Sequence, residues 1–299
     1  MYDVVLLTEK KYINPTDVDW YVEQVLQEDG LVKEALEAEG LKCTIKAWCD
    51  SDFDWASTKT VLFRTIWDYF HRFDEFSKWL EETKHKTKMI NPYAQIKWNV
   101  DKHYLGDLEQ KGINIVKSHF IEKGDSKNLA DWHQELGWSE TVLKPCVSGG
   151  GRHTYRLNPD NYAEHEAVFK ELIQDEAMML QPFMKNVPTK GEVSHIVIGG
   201  QYSHSILKIA KKGDYRVQDD FGGSVHDYTA NEQEIKYAES VAKACEPLPY
   251  YARVDVIWDD NDELALGEVE LIEPELWFRN FPEAAKMLAR EITSREFSV

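Results

Sequence analysis

The sequence predicts an α/β unit followed by an α+β unit, and three observations carry that prediction. Apolar strand-like runs alternate with helix-patterned stretches in the first third of the chain. Strand-like runs then follow one another more directly towards the end, as in an antiparallel sheet. Two short apolar strands joined by an acidic turn, Ala252–Pro274, carry carboxylates at positions where a buried strand normally has none.

Taken in order, Tyr2–Thr8 is a first strand-like run. Asn14-Pro-Thr-Asp17 supplies capping residues, and Val18, Tyr21, Val22, Val25, Val32 and Leu36 recur at helical spacing up to Gly40. Gly30 lies inside that span, which is compatible with two helices as well as one. Cys43–Trp48 and Thr60–Arg64 read as strands, Trp67–Thr83 as an amphipathic helix and Lys88–Asn91 as a short fourth strand. Strand alternating with helix implies a small parallel sheet covered on both faces. The Asn91-Pro92 turn ends this unit and sets a first domain at 1–92.

A helix over Tyr93–Gln110 then ends at Gly112. Strand-like segments follow at Ile113–Phe120, Thr141–Cys146, His153–Leu157 and Met178–Phe183, with helices near Asp125–Leu136 and Pro159–Gln174. Val193–Ile198, Tyr202–Ile209 and the two strands of 252–274 suggest the antiparallel sheet. These textures divide the remainder into 93–184 and 185–299.

The acidic hairpin is the most informative segment. Glu268 and Glu270 are two residues apart and share one face of a strand. If Asp255 lies opposite Glu268, three carboxylates converge on one point and Asp260–Glu263 forms a four-residue turn. A slip of one residue would move Asp255 to the other face. Hard oxygen ligands of this kind suit Mg²⁺, which keeps further positions for phosphate and water. An ordinary hairpin with solvated acids is the competing reading.

Upstream, Val142-Leu-Lys-Pro-Cys-Val-Ser-Gly-Gly-Gly-Arg152 delivers Lys144 on a strand, followed by Ser148, Gly149, Gly150, Gly151 and Arg152. Consecutive glycines let backbone N–H groups turn towards an anion, and a mobile glycine hairpin suits a lid. The segment is neither a Walker loop nor a dinucleotide fingerprint, and a hairpin tip without a ligand is its bland reading. Three weaker features accompany it. Lys102 reads as a helix lysine, Met179-Leu-Gln-Pro-Phe-Met184 is an apolar strand leaving through Gln181-Pro, and Arg216 precedes Gly222-Gly223. An arginine there could clamp phosphate oxygens, or sit on the surface beside Asp219 and Asp220.

Composition bounds the partners. Lys and Arg number 35 against 53 Asp and Glu, a formal net charge of −18, which disfavours nucleic acid and anionic membranes as partners of the overall field. Apolar runs such as Val4–Leu7 are far too short to span a bilayer, and no secretory signal is evident. Cys43, Cys49, Cys146 and Cys245 show no zinc spacing and read as reduced thiols, which points to the cytoplasm.

In their order, Lys102, Lys144-Pro, the glycine-rich loop, Gln181-Pro-Phe, Arg216 before Gly-Gly, Asp255 and the Glu268/Glu270 pair resemble the ATP-grasp superfamily of carboxylate–amine ligases. In the glutathione synthetase branch the last strand carries Glu-x-Asn with a proline four residues on. Pro274 keeps that spacing here, while Glu270 stands in place of the Asn. Arg64-Thr-Ile-Trp-Asp-Tyr69, Ile90-Asn-Pro92, Trp98-Asn-Val-Asp-Lys102, Tyr202-Ser-His204 and Asp214-Tyr-Arg-Val-Gln218 are similar in style to a bacterial subgroup that includes O-ureido-serine cyclo-ligase of cycloserine biosynthesis.

That resemblance implies an ATP-grasp fold: a Rossmann-like pre-ATP-grasp domain (1–92), a glycine-loop lid and nucleotide subdomain (93–184) and an antiparallel Mg²⁺ and catalytic subdomain (185–299). It implies that Lys102 and Lys144 bind ATP phosphates, that Ser148–Arg152 close over them, and that Gln181 and the backbone at Phe183 and Met184 flank the adenine, with Glu192 nearby. Asp255, Glu268 and Glu270 would hold Mg²⁺, two ions in this scheme, with Mn²⁺ as a substitute. Arg216, Lys208 and Arg253 are the cations expected at the chemistry. The reaction implied is ADP-forming: a carboxylate becomes an acyl phosphate that an amine attacks.

Substrate residues are less defined. Arg64, at a strand end, would meet a substrate carboxylate or pair with Asp68, with Tyr69 nearby. His204, Trp277, Arg279, Gly222 and Gly223 are further candidates. The substrate expected is small and amino-acid-like, and a homodimer is compatible with this reading. A kinase that stops at the phosphorylated product and a non-catalytic nucleotide-binding module are the two alternatives.

Overall fold

The structure is a computed structural model that describes residues 1–211, 213 and 222–298. The first sheet is built from β1 (Tyr2–Thr8), β2 (Cys43–Ala47), β3 (Thr58–Thr65) and β4 (Lys88–Ile90), all parallel, in the order β2-β1-β3-β4. Helix α1 (Trp20–Ala38) crosses from β1 to β2, and α2 (Phe73–Thr83) from β3 to β4. Val4, Leu6 and Leu62 pack with Val32 and Leu36 of α1, whereas Val5, Leu7, Val61 and Phe63 face Phe76 and Leu80 of α2. The sheet is thus covered on both sides, as its near-continuous apolar strands require.

Helix α1 runs unbroken through Gly30, and its cap is Asp19 rather than Asn14–Asp17. The Asp19 carboxylate accepts from the N–H groups of Tyr21 (3.0 Å) and Val22 (2.9 Å). Glycine there lowers helix propensity by about 1 kcal/mol, which tertiary packing overrides. The helix expected over Trp67–Thr83 begins only at Phe73, after a 3₁₀ turn at Tyr69–His71.

The predicted helix Tyr93–Gln110 is two helices, α3 (Tyr93–Asn99) and α4 (Tyr104–Gln110), and Lys102 sits in the break between them. A second sheet follows, made of β5 (His119–Ile121), β6 (Thr141–Pro145), β7 (Tyr155–Leu157) and β8 (Met178–Pro182), antiparallel in the order β5-β8-β6-β7. Helices α5 (Leu129–Leu136) and α6 (Tyr162–Asp175) cover it through Leu129, Trp132, Phe169 and Ile173, packed on Leu143, Leu157 and Leu180. The strand expected over Ile113–Phe120 is divided: only its end enters β5, while Val116 N–H donates to Leu266 O and Leu266 N–H to Asn114 O.

After α7 (Val187–Lys190) comes the third sheet. It comprises β9 (Glu192–Ile198), β10 (Gln201–Ile209), β11 (Ser224–Tyr228), β12 (Tyr251–Trp258) and β13 (Leu264–Glu270), antiparallel in the order β11-β10-β9-β12-β13. Helix α8 (Glu232–Ala244) is held at its start by an Asn231/Glu234 capping box and packs Ala238, Val241 and Ala242 on Val197, Val254 and Val269. Helix α9 (Pro282–Glu296) returns to pack Leu288 and Ile292 beside Val32 and Leu36.

Asp255 pairs with Glu268, the register read from the sequence. The ladder then shifts, so that Val256 faces Leu266 and Trp258 faces Leu264. Gly267 is the extra residue, and the turn is the five residues Asp259–Glu263, not four. The Asp259 carboxylate accepts from Asn261 N–H (2.8 Å) and Glu263 N–H (3.0 Å), which fixes the longer turn.

Buried amides tie the sheets together. Asn91 Nδ2 donates to Tyr251 O (3.0 Å) and Leu271 O (2.8 Å), and its Oδ1 accepts from Tyr250 N–H (2.7 Å). Along β13, Asn99 donates to Val269 O and accepts from Leu271 N–H (both 2.8 Å), Tyr104 OH accepts from Val269 N–H (3.1 Å), and Asn114 donates to Leu264 O (2.8 Å). Each such bond satisfies a buried main-chain group that would otherwise cost about 1–3 kcal/mol.

Candidate active site

A cavity of about 560 Å³ lies between the second and third sheets and reaches back to the first. That volume is within the range of small-molecule sites. One wall is the face of the third sheet that presents Glu192, Lys208, Arg253, Asp255, Glu268 and Glu270. The period-two alternation of β9, β10, β12 and β13 brings these side chains to one side and sends Val193, Val197, Val254 and Val269 to the other.

The charges on this wall are interleaved. Asp255 accepts from Ser194 Oγ (2.5 Å) and from Arg253 Nε (3.1 Å) and Nη2 (2.8 Å), with Lys208 Nζ at 3.4 Å. Arg253 also bonds Glu270, and Lys208 reaches Glu192 at 2.5 Å. Glu268 pairs with Lys102 at 3.0 Å. Among the described residues, the oxygens of Asp255, Glu268 and Glu270 therefore share a face without gathering at one point, because Arg253 and Lys102 stand among them. Burial opposes ionisation throughout, yet Arg253 and Lys208 hold Asp255 well below the usual carboxylate range. Lys102 and Lys144 hold Glu268 down against the same cost. Glu270 goes the other way: burial, with Glu268 and Asp255 adding to it, pushes it up to about 7. Burial and Glu270 likewise push Glu273 up to about 8.

The facing wall carries the cations and the glycine loop. Lys102 is almost wholly buried; its N–H donates to Cys146 O (2.9 Å) and its Nζ to Ser148 O (2.7 Å). The helix break, not a helix face, is what points it inward. Lys144 also lines the cavity but makes no ion pair among the described residues, and burial pushes its ammonium down from the ordinary lysine value. Ser148, Gly149, Gly150 and Gly151 lie along the same wall. At the exit of β8, Gln181 lines the cavity and donates to Ser118 Oγ (2.9 Å), followed by Phe183 and Met184. Phe183 N–H donates to Glu140 O (2.9 Å), so that group is committed to the strand exit and is not an adenine donor.

Several predicted residues lie elsewhere. Arg152 turns away from the cavity to Glu176 (Nη1 to Oε1 3.0 Å) and Val147 O. Asp68 pairs with Arg72 (2.7 Å) and accepts from Trp48 Nε1 (2.7 Å); it does not meet Arg64. His204 is buried beneath Phe281, its Nε2 2.9 Å from Leu276 O. Arg64 is 1% exposed under α1, near Asp29 (3.4 Å) and Glu28 (3.8 Å). It borders a recess of about 10 Å³, the size of one water and too small for a substrate. Gly222 and Gly223 do not line the cavity, nor do Trp277 and Arg279. Arg216 falls outside the described residues.

The end of the cavity towards the first sheet was anticipated only at Tyr69. Tyr12, Tyr21, Trp67, Tyr69 and Phe70 line it, with Glu273 and Glu275. Trp67 Nε1 donates to Glu273 O (2.9 Å), and the buried Tyr69 lies beside the Glu273 carboxyl. The available signal was the run Glu268-Val-Glu-Leu-Ile-Glu273-Pro274, in which a third acid continues the pattern, and the aromatic density of Trp67–Phe70.

The donor set fits both ligands expected of it. Three acids on one face, of which Glu270 is pushed towards neutrality together with the neighbouring Glu273, crowd negative charge that a divalent cation would neutralise. Opposite them a desolvated, unpaired Lys144 suits a phosphate oxygen.

Comparison with known proteins agrees with this geometry. Residues 4–91 match the N-terminal domain of D-cycloserine synthetase DcsG, and residues 114–274 match the ATP-grasp domain of prokaryotic glutathione synthetase. The cycloserine biosynthesis protein DcsG of Streptomyces lavendulae is 28% identical over 283 residues, covering 88% of this chain and 91% of that protein. The crystal structure of D-cycloserine synthetase DcsG superposes with a TM-score of 0.83 at 25% identity, covering 98% of this chain and 99% of the other. D-alanine–D-alanine ligase from Bacillus anthracis shares the fold at a TM-score of 0.66 and 15% identity, covering 99% of this chain and 97% of that one.

Proposed function

The chain belongs to the prokaryotic glutathione synthetase ATP-grasp family, and from that premise we propose how its residues divide the work of an ADP-forming carbon–nitrogen ligase. The reaction joins a carboxylate to an amine at the expense of ATP and yields an amide or a cyclic amide. The observation that carries the assignment is the pairing of Asp255 with Glu268, which sets three carboxylates opposite Lys102 and Lys144 across one cavity.

Lys144 and Lys102 bind the phosphates of ATP, the latter by giving up Glu268 and Ser148 O for phosphate oxygens. Residues 148–151 cover them, and Gln181–Met184 flank the adenine. Asp255, Glu268 and Glu270 hold the divalent cations, two Mg²⁺ with Mn²⁺ as a substitute. When bound, these ions supply neutralising charge at the phosphate oxygens. Arg253 and Lys208 then lie where the transferred group and the acyl oxygen develop charge. The γ-phosphoryl group passes to a carboxylate oxygen and ADP departs. The amine nitrogen attacks the acyl carbon, the carbon–oxygen bond to phosphate breaks, and the nitrogen loses a proton as inorganic phosphate leaves.

The substrate in this reading is small and amino-acid-like, since the cavity must also take the nucleotide. Ring closure of a single molecule that carries both carboxyl and amine is one version, supported by the likeness to a cycloserine biosynthesis protein. The three sheets support divisions at 92 and 184, and the four free thiols support a cytoplasmic site of action. No helix among the described residues is long and apolar enough to cross a membrane.

The test is a screen of amino-acid-like carboxylates and amines, alone and in pairs, for Mg²⁺-dependent ADP release, with mass detection of the product. An amide plus free phosphate is expected. Phosphate retained on the substrate would replace the ligase reading with a kinase, and tight ATP binding without stimulated ADP release would leave a nucleotide-binding module.

A further inference from the structure

The three glycines of the loop are glycine for two different reasons. Gly150 (φ 56°) and Gly151 (φ 70°) occupy the left-handed region, where a side chain is strained. Gly149 is not in that region; what excludes a side chain there is space. A Cβ on Gly149 would stand 2.6 Å from Cε1 and 2.9 Å from Cδ1 of Phe70, and no other heavy atom comes as near. Phe70 belongs to the turn after β3, in the first sheet's unit, far from the loop in sequence.

That same turn also reaches Glu273, at the end of the cavity towards the first sheet. Tyr69, edge-on to Phe70 at 5.6 Å between ring centroids, lines the cavity beside Glu273. Glu273, the Tyr69-Phe70 pair and Gly149 thus run in succession from the first-sheet end of the cavity to the glycine loop. The second hold on the loop, Lys102 Nζ on Ser148 O, is the one that ATP would compete for in the reading above. The Phe70 contact is apolar and carries no such competition.

We infer that Phe70 is a positioning residue that seats the glycine loop over the nucleotide from the side of the first sheet, so that the loop is held closed while the acyl phosphate exists. The inference rests on the ligase reading for its chemical consequence. A loosely seated loop admits water, and water attacking the acyl phosphate returns the carboxylate and phosphate, so ADP is released without amide. The contact itself does not depend on which substrate is ligated.

The experiment is a size exchange across the contact. Wild type, F70A, F70L, G149A and the double variant F70A/G149A are compared in two measurements. The first is hydrogen exchange of residues 147–154 with Mg²⁺ and a non-hydrolysable ATP analogue (AMP-PNP). The second is ADP released per amide formed. We expect F70A to lose most of the nucleotide-induced protection of the loop and to raise ADP per amide several-fold, with F70L close to wild type. G149A alone should be impaired because its methyl collides with the ring, and F70A/G149A should regain protection relative to G149A. Equal protection in F70A and wild type, or a double variant no better than G149A, would overturn the inference, as would loosened protection with unchanged ADP per amide. If the wild type forms no amide with any pair, the ligase reading fails by itself, and the exchange measurement still decides whether Phe70 seats the loop.

Discussion

Two clusters of buried arginine and carboxylate occupy this molecule, and they differ in what completes them. Under α1, Arg64 lies between Glu28 and Asp29, yet the Glu28 oxygens are taken by the N–H groups of Phe278 (2.9 Å) and Arg279 (3.1 Å), and Asp29 accepts from Thr65 Oγ1 (2.7 Å). On the β12–β13 face, Arg253 bonds Asp255 and Glu270 directly, and the group opens on a cavity. The first cluster uses its charges to fasten a helix to a distant loop. The second presents charges that a ligand can exchange. Burial and residue type are shared, so neither identifies a site; access to open volume does.

The largest expected effect breaks the first cluster. Arg64→Met leaves Asp29 without its counter-charge and leaves Glu28 to Arg279 (3.6 Å), and should cost about 3–5 kcal/mol of stability, read from urea unfolding. ATP affinity measured at a temperature where the variant is folded should be unchanged; a selective loss of ATP binding would erase the distinction between the clusters. In the second cluster, Glu268→Gln should lower Mg²⁺-dependent turnover by at least on the order of 100-fold, since residues that only orient a metal ligand already cost up to about that much. Its unfolding midpoint should stay near the wild-type value, and full activity would sink the metal assignment. Lys144→Met removes a desolvated cation that makes no ion pair among the described residues, so ATP should bind roughly 10- to 100-fold more weakly, the worth of a charged hydrogen bond, without loss of stability. Isothermal titration with ATP decides it.

Acid should separate the cavity from the protein behind it. His195, on the face packed under α8, and His204 are both pushed by burial down to about 4. Each is neutral when folded and binds a proton more readily when unfolded, so stability is full above about pH 6.5 and declines as pH falls towards 4. At pH 5 the loss should be about 2 kcal/mol for each residue. Replacing His195 with Gln should flatten its share of the decline, and an unchanged pH profile in thermal unfolding would assign the acid loss elsewhere.

Much of the nucleotide half was legible because its signals are local. The Asp255–Glu268 register follows from strand alternation, and the glycine loop from its composition. The turn length was missed because a glycine in a strand gives no sign of which ladder step it interrupts. Lys102 was misplaced on a helix because its neighbours keep helical periodicity; the break is made by contacts with Cys146 and Ser148, more than forty positions away. Arg64 was open to two readings from the sequence, and its actual partners come from a helix that precedes it by about ten turns' worth of chain. Apart from Tyr69, the aromatic end of the cavity went unread for the same reason: Tyr12, Tyr21, Trp67 and Glu273 meet only after three separate segments have folded.

The dressing of β13 by Asn99, Tyr104 and Asn114 bears on how molecules of this protein can meet. An outermost strand normally offers a row of main-chain groups to any neighbouring strand and is a seed for edge-to-edge growth. Here the outward bonds of Leu264, Leu266, Val269 and Leu271 are filled from within the chain. The strand that carries Glu268 and Glu270 is therefore closed to a second molecule, and self-association, whatever its form, must use another surface and leave the acidic hairpin clear for small ligands.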